Sequence, residues 1–202
     1  STTMSLNVSP TYSSTYKLAP GTSLNTDAFW GGSSSEPNQS SSNYRYVSIY
    51  FPNNPSTISD DRYYTNNHYS IIESSIATTT FNGYTGMTLV GTYNGKYYYA
   101  TNYSTNWTTH KTRSQTAHSS MLIIDDMAEL EWIKSKRTTF TAISNNHWWI
   151  GLEQNHSASD YSHPRGGWYW GDGTKLANSG QVSETTISAT TTLNAYEELS
   201  YT

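Results

Sequence analysis

Two stretches decide how this chain folds: Trp148-Trp149-Ile150-Gly151-Leu152 and, sixteen residues further on, Trp168-Tyr169-Trp170-Gly171-Asp172-Gly173-Thr174. The first is a short run of bulky apolar residues, long enough for a buried strand and too short for a helix of ordinary length. The second alternates indoles with a tyrosine and then reaches Asp172-Gly173, a turn dipeptide. Between them, residues 153–167 are polar and broken by Pro164, Gly166 and Gly167, so they read as a loop. Trp149, Ile150, Trp168 and Trp170 are assigned to the core.

Upstream, two helices are expected. One runs from about Trp107 to Ala117, with Asn106 or Thr105 as N-cap. The other starts at Asp125 or Asp126 and places Met127, Leu130 and Ile133 on one stripe. It ends in Lys134, Lys136 and Arg137, which suit the negative end of the helix dipole. Met121–Ile124 reads as a buried connection between them. Before the helices, Leu89–Thr92 and Lys96–Ala100 flank Asn94-Gly95, the dipeptide of tight hairpin turns. Tyr44–Phe51 and Tyr69–Glu73 are β-branched and aromatic and read as strands. Residues 52–67 read as loop, because Pro52-Asn53-Asn54-Pro55 opposes regular structure. Residues 77–86 are a connector. Met4, Leu6 and Val8 alternate with polar neighbours like a half-buried strand, and residues 193–201 form a candidate last strand. The fold class is α+β, mostly antiparallel.

Composition narrows the function. The chain has 202 residues, 34% hydrophobic and only 13% charged, with 18 Tyr and 7 Trp. Aromatic richness argues for a folded domain despite the Ser, Thr and Asn content. A net charge of −4 lacks the basic face that nucleic acid requires. No apolar run reaches the length of a membrane span, so no membrane insertion is expected. There are no cysteines, which removes disulfides, thiolate metal sites and cysteine nucleophiles. The Ser/Thr/Asn/Tyr-rich composition with few Lys and Glu points to a secreted or bacterial surface-displayed module. Nucleophile-elbow, zinc-helix and phosphate-loop motifs are absent, so an enzyme is not expected.

Residues 88–176 resemble the first half of a C-type lectin-like domain: an opening hairpin, two helices, the Trp-Ile-Gly-Leu signature at 149–152, and the Trp-x-Trp-x-Asp-Gly-Thr signature at 168–174. The family's second half does not follow. A segment resembling it lies instead at residues 24–76. Phe29-Trp30 through Glu36-Pro37-Asn38 resembles the ligand loop, Tyr44–Tyr50 the strand after it, and Thr57-Ile58-Ser59-Asp60 the Trp-Asn-Asp position. Tyr69–Glu73 resembles the closing strand. The resemblance therefore implies a circularly permuted C-type lectin-like fold over residues 1–202, with 74–87 joining the old ends. Residues 1–23 and 177–202 are read as polar β extensions. The alternative is a chain spanning parts of two tandem domains.

Glu36, Asn38, Asn43, Ser59 and Asp60 are the candidate metal ligands. Carboxylate, amide and hydroxyl oxygens suit Ca2+, which takes 6–8 hard oxygen ligands. The resemblance implies that the ion and its ligands Glu36, Asn38 and Asp60 meet vicinal hydroxyls of mannose-, glucose- or fucose-like sugars. Tyr63 and Tyr64 are candidates for stacking on the ligand. Asn43, Ser59 and Ile58 depart from the family pattern, and the lower charge weakens the expected Ca2+ affinity. Glu153, Asn155 and Asp160 are candidates for an accessory ion, whereas His147, His156 and His163 read as solvated. The expected function is Ca2+-dependent carbohydrate binding by a cell-surface adhesin, with glycans or host-surface glycoproteins as partners. Two alternatives are a protein- or peptide-binding module on the same fold and a structural spacer.

Overall fold

The computed structural model describes residues 16–17, 29, 45–59, 65–78, 84–161 and 166–176. The alternating segment at Met4–Val8 and the candidate strand at 193–201 lie outside them. The ten described strands, in chain order, are β1 (Tyr16–Lys17), β2 (Tyr46–Tyr50), β3 (Thr57–Ser59), β4 (Tyr69–Ser74), β5 (Thr88–Tyr93), β6 (Lys96–Ala100), β7 (Ser119–Met121), β8 (His147–Gln154), β9 (Trp168–Trp170) and β10 (Lys175–Leu176). Three helices lie among them: α1 (Trp107–Ser114), α2 (Met127–Ser135) and α3 (Arg137–Ile143). The architecture is α+β around one mixed, mostly antiparallel sheet. Its order is β1-β10-β9-β8-β4-β6-β5, with β2 also on β8, β3 on β2 and β7 on β4. The parallel pairs are β1 with β10 and β4 with β8.

β4 and β8 organise the rest. Neighbouring residues in a strand face opposite sides of a sheet, yet Ile71 and Ile72 are both fully buried, as are Trp148 and Trp149. Both faces of the sheet are therefore covered. One face meets α2 and α3: Val47, Ile49, Phe51, Ile71, Trp148 and Ile150 join Leu130, Ile133 and Phe140. The other meets α1: Ile72, Tyr99, Met121 and Trp149 join Tyr84, Met87 and Trp107. The indole of Trp107 also donates to the Ile150 carbonyl at 2.8 Å, which fixes α1 to the middle of β8.

The local chemistry explains most element boundaries. Asn94 and Gly95 adopt φ of 47° and 77°, the left-handed pair that a tight hairpin turn requires. Asn106 caps α1 by accepting from the Thr109 N–H at 2.8 Å, and Asp126 caps α2 through Glu129 N–H at 2.8 Å. At Asp172, the side chain accepts from both the N–H and the hydroxyl of Thr174, closing the turn before β10. No described helix is long and apolar enough to cross a membrane.

Two expectations need correction. Residues 52–67 are not all loop: Thr57–Ser59 pairs with β2, and its register places Ile58 opposite Ile49. Burial of Ile58 drives this short strand against the preceding Pro/Asn turn. The second helix stands close to its expected bounds and ends at Ser135, but a third helix that the sequence reading did not include, α3, starts at Arg137. α3 begins with Arg137, whose guanidinium donates to the carbonyls of Phe51, Pro52 and Asn53. It also stacks Phe140 on Phe51, with ring centroids 4.2 Å apart.

Gly151 shows why the motif at the centre of β8 contains a glycine. Its N–H donates to the Leu122 carbonyl at 2.8 Å. A Cβ there would lie 2.9 Å from that oxygen and 3.0 Å from the Met121 carbonyl. Gly151→Ala is expected to lower stability by about 1–3 kcal/mol through forced separation of β8 from the β7 segment. Urea unfolding followed by tryptophan fluorescence measures this, and an unchanged midpoint would contradict it.

Candidate functional site

Of the candidate ligand residues, the described structure includes Ser59. Glu36, Asn38, Asn43, Asp60, Tyr63 and Tyr64 lie outside the described residues. The frame that carries their two segments is well defined. On one side, Phe29 is buried edge-on against Trp170, with centroids 6.2 Å apart. On the other, Arg45 leads into β2, and its carbonyl accepts from the Gln154 N–H at 2.7 Å. Tyr46 stacks on Trp107 at 4.4 Å. Segment 30–44 therefore starts from one anchored point and ends at another.

The second segment attaches beside the first. β2 and β3 are antiparallel, and Ser59, the last residue of β3, is the register partner of Ser48. Ser48 is two residues after the start of β2. The point where the chain enters β2 and the point where it leaves β3 are thus at the same end of this strand pair. The hydroxyl of Ser48, at the middle of β2, is bonded to His147 Nδ1 at 3.0 Å, while the entry end of β2 lies beside the end of β8, with Tyr46 opposite Glu153.

The end of β8 and the loop after it use their charges on lysines. Glu153 is paired with Lys111 on α1. Asp160 pairs with Lys175 at 2.8 Å and accepts from the Tyr169 hydroxyl at 2.9 Å. The contact with Lys175 and Tyr169 holds the Asp160 carboxyl below the ordinary range despite its partial burial. Glu153 and Asp160 therefore do not converge on a common point as an accessory ion site would require. His156 is bonded to Gln154 and packed on Tyr161. Among the described residues, no group of three or more His, Asp and Glu side chains is arranged to hold a metal.

Sequence reasoning missed a second cluster, at the other end of β4. The ammonium of Lys96 lies 2.7 Å from Asp125 Oδ2, 3.4 Å from Glu73 Oε1 and 3.9 Å from Glu129 Oε1. Glu129 is almost fully buried and accepts from the Tyr98 hydroxyl and, at 2.6 Å, from the Asp125 N–H. Glu73 accepts from the Ile123 N–H at 3.0 Å. Burial drives the Glu73 carboxyl up to about 7, only partly countered by Lys96 and the Ile123 N–H. Burial raises Glu129 as well, against its bond from Tyr98. For Lys96, burial opposes the charge, but Glu73 and the other carboxylates outweigh it and raise the ammonium. One signal for this cluster is present in the sequence: Asp126-x-x-Glu129 has the spacing of a capping box, which turns Glu129 back toward the helix start.

A third polar group lies between β4 and α1. His110, fully buried, accepts at Nδ1 from the Tyr84 hydroxyl at 2.6 Å and donates from Nε2 to the His68 carbonyl at 2.9 Å. Nε2 carries a proton because its partner is a carbonyl, and burial, which lowers the ring to about 4, leaves it neutral with Nδ1 as the acceptor. A hydroxyl and an imidazole in contact are parts of nucleophilic catalysis, but both side chains here are sealed from solvent and from any substrate.

Comparison of the chain with protein-family models, with characterised proteins and with solved structures returned no match.

Tyr98→Phe removes the hydroxyl that donates to Glu129 Oε1 while keeping the ring volume. The expected cost is about 1–3 kcal/mol at neutral pH, the penalty of an under-bonded buried acceptor. Chemical denaturation checks it, and a variant as stable as the parent would show that the bond is dispensable.

Proposed function

We propose that the chain is a Ca2+-dependent carbohydrate-recognition module of a bacterial cell-surface adhesin, built on a circularly permuted C-type lectin-like frame. The observation that carries this reading is the shared attachment of the two ligand-bearing segments. Segment 30–44 enters β2 at Arg45, and the chain leaves β3 at Ser59, directly across from Ser48. Further support comes from the interleaving of the halves. β2 and β4, from the early part of the chain, are both hydrogen-bonded to β8 from the late part. β4 also pairs with β6, as a closing strand pairs with an opening hairpin in the lectin-like frame.

The donor set fits a hard cation. Glu36, Asn38, Asn43, Ser59 and Asp60 offer only oxygen ligands, from two carboxylates, two amides and a hydroxyl. Such a set suits Ca2+ over softer metals. Two carboxylates make a weakly charged site, which places its affinity in the range of about 10⁻⁴–10⁻³ M used by extracellular modules. A bound Ca2+ supplies a positive centre for two neighbouring sugar hydroxyls. Glu36 and Asp60 accept hydrogen bonds from those hydroxyls, and Asn38 both donates and accepts. Tyr63 and Tyr64 offer ring faces to the apolar side of the sugar. No bond is made or broken in the ligand, so the module binds and does not catalyse.

Two measurements test the proposal. In calorimetry, the full chain takes up CaCl2 with a Kd of about 10⁻⁴–10⁻³ M, and Glu36→Gln weakens this at least about ten-fold. On an array bearing mannose, glucose and fucose, binding appears with calcium and disappears with chelator. Sugar binding indifferent to the chelator would overturn the metal role, and peptide binding with all sugars inert would replace the glycan reading.

A further inference from the structure

Strand β4 is held near both ends by buried titratable groups. Just before its start, the His68 carbonyl accepts from His110 Nε2, and the other ring nitrogen is occupied by the Tyr84 hydroxyl. Both nitrogens are used while the ring is neutral. Added charge there would be buried beside the His68 ring. It would also approach the Arg113 guanidinium, which is hydrogen-bonded to Tyr103 near the His110 ring. This end of β4 resists protonation.

Near the other end, Glu73 is enclosed and shares one ammonium with two further carboxylates. Lys96 comes from β6, Asp125 and Glu129 from the start of α2, and the Ile123 N–H from the strand connection. Tyr98, also from β6, faces Glu129. One ammonium does not neutralise three carboxylates of which two, Glu73 and Glu129, are buried while Asp125 stays partly exposed, so this end favours proton uptake.

We propose that β4 is a proton-balanced strand: in mildly acidic solution the clamp at Glu73 strengthens while the clamp at His110 weakens, and the two effects offset each other. Glu73, raised from 4.5 to about 7 by burial, favours the fold fully below pH 4.5 and loses that contribution as pH rises through 7. His110, lowered from 6.5 to about 4 by burial, favours the fold fully above pH 6.5 and loses that contribution as pH falls toward 4. The two intervals overlap almost completely and have opposite signs. β4 pairs with β6, β7 and β8, so a change at either clamp reaches both faces of the sheet.

The test compares the full chain with Glu73→Gln, which keeps an oxygen for the Ile123 N–H but does not titrate. Urea unfolding at several pH values gives a folding constant for each protein. The ratio of the variant's constant to the parent's is expected to rise at least about five-fold from about pH 4.5 to about pH 7.5. A smaller rise, or a fall, overturns the proposal. Ring NMR of the unmodified protein tests the other clamp independently. His110 is expected to be neutral at about pH 5.5 with its proton on Nε2, and a protonated ring at that pH overturns the balance.

Discussion

Strand β8 must be satisfied along both edges and on both faces, and most of the structure follows from that demand. Its hydrogen-bonding groups are taken by β2, β4 and β9, and by the Leu122 carbonyl at Gly151. Its indoles at 148 and 149 point to opposite cores. Because β2 and β4 come from early in the chain and β9 from late in it, the strand cannot be completed by any local segment. Association of distant parts is thus a condition for burying Trp148 and Trp149 at all, and the energetic return is large because two indoles leave water together.

A serine- and threonine-rich chain accommodates this core by using hydroxyls as internal hydrogen-bonding groups. Ser70, fully buried in β4, donates from its hydroxyl to the Trp149 carbonyl at 3.1 Å. Its N–H donates to the Thr101 hydroxyl at 2.8 Å, and its carbonyl accepts from the Thr101 N–H. Ser119 similarly bonds Thr116 and the Ser114 carbonyl. The hydroxyls of Ser70 and Ser119 are paired, so their burial carries little penalty. The low mean hydropathy of the chain therefore coexists with an interior built of aromatic side chains.

The elements that could be read from sequence were those whose cause is local. Asn94-Gly95, the caps Asn106 and Asp126, and the run Trp148–Leu152 each carry their own signal within a few residues. α3 does not: Thr138, Thr139 and Thr141 are poor helix formers, and the reason for the element is the distant turn that Arg137 grips. β3 was hidden for a related reason, since three residues are too few to show alternation. The acidic cluster was the least legible. Residues 73, 96, 125 and 129 meet through sheet pairing and a helix start, and apart from the capping-box spacing that turns Glu129 back, no spacing in the sequence announces that meeting. The proposed ligand set has the reverse character. Glu36-Pro37-Asn38 is conspicuous as a motif, whereas the described structure contributes Ser59 and the anchoring of the frame.

The pairing of Tyr16–Lys17 with Lys175–Leu176 is parallel. Chain direction then dictates how a mechanical load enters the sheet. Tension applied outward from Tyr16 and from Leu176 acts at opposite ends of the pair, so the strands are driven to slide past one another and their bonds share the force. An antiparallel pair at the same place would peel open one bond at a time.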